Sequence, residues 1–137
     1  MKQRTLDRAV SFAGMALHTG THNTVTLRPA PAGTGVVFRR VDLGEDAIVP
    51  ARPEFVHRTE RCTTLRRGEA EVRTVEHLLA ALRGLEVDNA LIDIDGPEVP
   101  IADGSAARFV AYLDEAGIVE QAEPRRILKV NQAVWAR

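Results

Sequence analysis

Alternating apolar and polar positions dominate the first half of the chain, and the period changes to a helical one near residue 75. "TLDRAVSFA", residues 5–13, alternates as a strand does and is stopped by Gly14. "HNTVTLRPA" carries alternating Val25 and Leu27 and predicts a strand that ends in "PAPAGTG". Two prolines and two glycines within those seven residues require a turn. "VVFRRVDL" then reads as the returning strand, so residues 22–43 are expected to form a hairpin. Pro50 and Pro53 interrupt "AIVPARPEFVH" and demote it to an edge strand or a loop. "RCTTLRR" and "GEAEVRT" predict another short pair around Gly68.

The spacing predicts a helix over Val75–Arg83, because Val75, Leu78, Leu79 and Leu82 fall at i, i+3, i+4 and i+7. Thr74 is its expected N-cap and Gly84 its stop. "NALIDIDG" alternates Ala90, Ile92 and Ile94 against Leu91, Asp93 and Asp95, as a half-buried strand does. "DGSAARFVAYLDEAGI" predicts a second helix, capped by Ser105 or Asp103, striped by Phe109, Val110 and Leu113, and ended by Gly117. "RRILKVNQAVWAR" is expected to start a last strand. Antiparallel runs with two late helices imply an α+β fold, a two-layer sandwich with both helices on one face of a mostly antiparallel sheet.

Composition narrows the class. The chain has 137 residues, which suits one domain. A net charge of −1 offers no field to attract nucleic acid or anionic lipid. The pairs Arg39-Arg40, Arg66-Arg67 and Arg125-Arg126 have acids nearby and read as solvated faces. Cys62 is the only cysteine, so no internal disulfide forms, and a reducing, cytoplasmic setting is the simplest fit. No run approaches the roughly 18 apolar residues of a membrane span, and "MKQRTLDRAV" lacks the apolar core of a signal peptide.

The candidate chemistry lies at the head of the first helix. On a wheel of about 100° per residue, His77 falls opposite the apolar stripe and Glu76 about a quarter turn or more from it. Both sit beside the unpaired N–H groups of the first turn, where partial positive charge favours a carboxylate and disfavours a charged imidazole. Glu76 alone is explained as a first-turn acid, and His77 alone as a surface histidine. Together they also fit a metal ligand beside a general base. The pair is not the H-E-x-x-H zinc helix, and a catalytic zinc typically has three protein ligands. His18 in "LHTG", His22, His57 and Cys62 match no zinc-finger spacing. His18 also reads as a turn histidine and Cys62 as a small buried apolar residue. "ADGSA" reads as a turn followed by a cap, and the G-x-S-x-G nucleophile elbow is missing.

The segments "KQRTL", "LHTG", "LRPAPAGTGVVFRR", "TVEHLLAAL", "DNALIDI" and "VPIADGSAARF", in this order, resemble the N-terminal half of the UDP-3-O-acyl-N-acetylglucosamine deacetylase family. Those enzymes are zinc amidases of lipid A synthesis in Gram-negative bacteria. The resemblance implies removal of the N-acetyl group of UDP-3-O-(3-hydroxyacyl)-N-acetylglucosamine, with release of acetate. It implies that Glu76 is the general base and His77 the first zinc ligand. It places His18 along the site, with Leu17 and Cys62 in segments near the substrate or the mouth of the acyl passage.

The family's other two zinc ligands come from an H-K-x-x-D helix in a second domain, and no such motif occurs here. The resemblance therefore implies an N-terminal domain over 1–124 and, over 125–137, the opening strand of a second domain. Glu60-Arg61 departs from the apolar residues expected before Cys62. The isolated chain is expected to be inactive, and its inter-domain face to favour homo-oligomers. The rival reading is a binding or assembly module that keeps the fold without the chemistry.

Overall fold

The computed structural model describes residues 1–136. In chain order its elements are β1 (Lys2–Leu6), β2 (Val10–Met15), β3 (His22–Pro29), β4 (Val36–Arg40), β5 (Ile48–Pro50), β6 (Val56–Arg58), β7 (Thr64–Arg67), β8 (Ala70–Val72), α1 (Glu76–Gly84), β9 (Ala90–Ile94), α2 (Ala107–Ala116) and β10 (Ile118–Pro124). A single 3-10 turn, Pro53–Phe55, precedes β6. The main sheet has the order β2-β3-β9-β4-β5. β1 and β10 form a separate ribbon, and β6, β7 and β8 a small sheet. Among the described strand pairs only β4–β9 is parallel, so the expected α+β class holds.

Side-chain alternation decides which sheet face is covered. Register pairs Val10 with Leu27, Phe12 with Val25, and Ile92 with both Leu27 and Phe38. All six are buried in one cluster with Leu78 and Leu82 of α1 and Phe109 and Leu113 of α2. Phe12 fixes α2 on the sheet. Its ring meets Phe109 edge-on at 5.5 Å between centroids and stacks on Tyr112 at 4.6 Å. Leu65, Ala70 and Val72 join the small sheet to the same core.

Several expectations are corrected. Residues 5–13 are not one strand. The chain breaks after Leu6, where the Asp7 and Arg8 N–H groups donate to the Gly117 and Ala116 carbonyls at the end of α2. Leu6 and Val10 are both buried, so the period-2 pattern runs through the break and hides it. Residues 22–43 form no hairpin either, because β9 inserts between β3 and β4. Asp93 of β9 accepts from Arg28 of β3 (2.7 Å) and from Arg39 of β4 (2.7 and 2.9 Å), a bridge that only this strand order makes. β9 is also more than half-buried, Asp93 included.

Gly84 is the last helical residue rather than the stop, and the left-handed residue beyond it is Glu86 (φ 59°). Neither Ser105 nor Asp103 is the N-cap of α2: Ala106 takes that position with no side-chain cap bond. Just before it the Ser105 hydroxyl accepts from the Ala107 N–H at 3.1 Å, and Asp103 accepts from Ser105 and fixes that turn. Gly117, at φ 72°, ends α2 as expected. The expected last strand does not form in residues 125–136, and β10 before it pairs antiparallel with β1. The interrupted "AIVPARPEFVH" gives the edge strand β5, and the Gly68 pair gives β7 and β8.

Candidate functional site

The head of α1 is set by its approach. Thr74 is not a cap. It lies at φ 55°, a left-handed conformation that a β-branched residue rarely adopts. Val75 takes the capping position with no side-chain cap bond. The Thr74 hydroxyl turns inward and donates to Glu98 Oε1 at 2.7 Å. Two backbone bonds place Glu98 there: the Arg73 N–H donates to the Pro97 carbonyl, and the Val99 N–H to the Arg73 carbonyl.

Glu98 also holds the "LHTG" turn. Its carboxylate accepts the His18 N–H at 3.1 and 3.2 Å and the Thr19 N–H at 2.7 Å. Asn23 fastens the Glu98 backbone, donating to its carbonyl at 2.6 Å. Gly96 makes room for Asn23, since a Cβ there would come within 2.1 Å of Asn23 Oδ1. The Glu98 side chain is wholly buried, and among the described residues no cation pairs with it. Burial pushes its carboxyl up, but the Thr74 hydroxyl and the Thr19 and His18 N–H groups outweigh that and hold it below the usual value.

Glu76 and His77 follow in the first turn of α1, and both are half-buried rather than sealed in the core. Glu76 Oε2 accepts the Thr63 N–H at 2.9 Å, which ties the acid to the loop before β7. Among the described residues no hydrogen bond engages the His77 side chain.

A hollow of about 160 Å³ lies beside this corner and is bounded by His18, Arg58, Arg61, Cys62, Glu71 and Arg73, among others. It brings His18 and Cys62 together. Neither Glu76 nor His77 lines it, although Glu76 is bonded to Thr63, next to Cys62. His18 is exposed, and its backbone N–H rather than its ring makes the turn's contact. Cys62 is half-buried, not core, with Sγ 3.8 Å from Thr64 Oγ1. Leu17 is 60% exposed beside the turn. Among the described residues no three His, Cys, Asp or Glu side chains converge as metal ligands, so His18, His22, His57 and Cys62 form no closed site.

Sequence reasoning passed over Glu98, Thr74 in its inward role, and Asn23. The one signal for Glu98 was an acid in "GPEVPI", flanked by prolines and apolar residues where a solvated carboxylate gains nothing.

The family model described as "UDP-3-O-acyl N-acetylglycosamine deacetylase" matches residues 3–137. The chain belongs to this deacetylase family. Curated relatives bearing the name UDP-3-O-acyl-N-acetylglucosamine deacetylase include one from Legionella pneumophila (strain Corby), 50% identical over 134 residues. That match covers 98% of this chain and 44% of the relative. One from Myxococcus xanthus is 50% identical over 132 residues, covering 96% of this chain and 42% of the relative. One from Citrifermentans bemidjiense is 52% identical over 132 residues, covering 96% and 43%. The chain therefore spans less than half the length of the relatives it matches. No helix among the described residues is long and apolar enough to cross a membrane.

Proposed function

We propose that this chain carries one wall of a zinc-dependent active site that removes the N-acetyl group of UDP-3-O-(3-hydroxyacyl)-N-acetylglucosamine in lipid A synthesis. The observation that carries the proposal is the adjacent, half-buried Glu76 and His77 at the start of α1, in a chain of this deacetylase family. Thr63 holds Glu76 by Oε2. Oε1 then stands ready to take the proton of a water attacking the acetamide carbonyl. His77 offers a ring nitrogen to a metal.

The donors present do not complete a zinc site, since among the described residues no three ligating side chains converge. We propose that residues beyond this chain provide the remaining ligands. Zinc, when bound, supplies a Lewis acid and makes water a nucleophile near neutral pH. His18, Leu17 and Cys62 form the substrate side of the wall. Residues 1–124 are proposed as the N-terminal domain and 125–137 as the start of the next. The lone cysteine suits a cytoplasmic setting.

Acetate release from the UDP-linked substrate tests this in the longer protein that carries this segment. Glu76→Gln is expected to lower kcat by about 10²–10⁴-fold, the range of lost acid–base catalysis, with secondary structure unchanged by circular dichroism. His77→Ala is expected to lower zinc content and turnover together. The 137-residue chain with added zinc is expected to give no turnover. Full activity of Glu76→Gln would overturn the assignment of the base. Turnover by the short chain as a monomer would overturn the half-site reading.

A further inference from the structure

We infer that Glu98 is a positioning residue that sets the His18 turn and the Glu76–His77 helix start at a fixed distance from one another. The inference rests on the reading of Glu76 as the base, and goes beyond it to ask what holds that base in place.

Three observations meet at this carboxylate. Its donors come from two separate segments: Thr74 on one side, and His18 and Thr19 on the other. Those donors are a hydroxyl and backbone N–H groups, with no cation among the described residues. An acceptor-only carboxylate suits this set, whereas an amide would present a donor to at least one of the N–H groups. Lastly, the residue it grips is strained. A left-handed conformation is unfavourable for a β-branched residue, and Thr74 keeps it only because its surroundings hold it there.

The strain lies where the chain turns from β8 into α1, two residues before Glu76. Backbone pairing to Pro97 and Val99 fixes Arg73, and the hydroxyl bond to Glu98 fixes Thr74. With both held, the first turn of α1 has one direction of entry, and Glu76 meets the Thr63 N–H. If the hydroxyl bond is released, Thr74 can relax towards an ordinary conformation. Glu76 then moves relative to the loop before β7 and to the turn that Glu98 still holds.

Thr74→Val and Thr74→Ser separate this role from plain stability. Valine keeps the branched shape and removes the hydroxyl, while serine keeps the hydroxyl. In the longer protein, Thr74→Val is expected to lower kcat about tenfold with KM changed less than twofold. Thr74→Ser is expected to keep kcat within about twofold of the parent. Equal kcat for Val and Ser, or a loss confined to KM, would overturn the inference.

Amide exchange supplies a readout that needs no substrate. The Thr63 N–H touches Glu76 and not Glu98. In Thr74→Val its exchange is expected to quicken about tenfold, while Val25 and Ile92 in the central strands keep their rates. Unchanged exchange at Thr63, or equal acceleration at all three, would overturn the positioning role. If the parent protein releases no acetate, the proposed function falls, and the exchange result still decides what Glu98 and Thr74 do.

Discussion

Two buried carboxylates five residues apart show two ways of keeping an acid out of water. Asp93 sits on the polar face of the main sheet between Arg28 and Arg39, whose side chains are 47% and 30% exposed. Glu98 sits at the corner where β8, α1 and the "LHTG" turn meet, wholly buried, with neutral donors. In each case burial pushes the carboxyl up. At Asp93 the Arg39 and Arg28 guanidiniums outweigh it, and at Glu98 the hydroxyl and N–H donors do, so both lie below their usual values. Asp93 decorates strands already held by their own ladders. Glu98 joins segments that regular secondary structure does not join. The first arrangement supports the sheet, and the second supports a geometry.

Truncation should separate the two most sharply. Glu98→Ala leaves three donors facing a space with no acceptor, and one unsatisfied buried group costs about 1–3 kcal/mol. We expect a loss of about 3–5 kcal/mol by urea denaturation. Asp93→Ala leaves two arginines that reach water, and exposed ion pairs are worth about 0–1 kcal/mol. Allowing for the buried partner, we expect about 1–2 kcal/mol. Equal losses would mean that the corner relaxes or hydrates as easily as the sheet face, and the contrast would fail.

The sequence disclosed the two regions unequally, for the same physical reason. Period-2 and period-3.6 patterns report which side chains face a shared core, so α1, α2, β9 and the Gly68 pair were legible. Patterns do not report which strands are neighbours. The inserted β9 was therefore missed, although Arg28, Arg39 and Asp93 were the residues that bridged it. The break after Leu6 was hidden because both flanking apolar residues are buried. At the proposed site, the positions of Glu76 and His77 in the first turn of α1 were legible because both lie off its apolar stripe, while the roles given to them remain proposals. Glu98 was not, since its role depends on a left-handed Thr74 and on N–H groups distant in sequence. Thr74 looked like a cap because threonine before an apolar run usually is one.

Acid should expose the contrast more gently. Each carboxyl titrates lower in the folded protein than in the unfolded chain. Its contribution is thus fully present above the unfolded value, near 4.5 for Glu98 and 3.8 for Asp93, and is lost as pH falls through the folded one. Denaturation midpoints followed downward from about pH 6 should fall for the parent. They should fall less steeply below 4.5 in Glu98→Gln and below 3.8 in Asp93→Asn. A variant that kept the parent's slope would show that its carboxyl does not drive the acid limb.

Salt gives the smallest and most selective effect. Raising ionic strength from about 0.1 M to about 1 M shortens the screening length from about 10 Å to about 3 Å. The Arg28–Asp93 pair reaches solvent on its arginine side, so ions can weaken it. Glu98 has no solvent contact and no salt bridge among the described residues, and Arg73 interacts with it only weakly at longer range, so little of its interaction is open to screening. The stability gap between the parent and Asp93→Asn should therefore narrow by a few tenths of a kcal/mol at high salt, while the gap to Glu98→Gln holds. Measuring gaps within one salt series cancels the general effect of salt on folding. If the Glu98 gap closed as fast as the Asp93 gap, a screened charge would have to act at the corner. The neutral donors would then not be what holds the His18 turn against the head of α1.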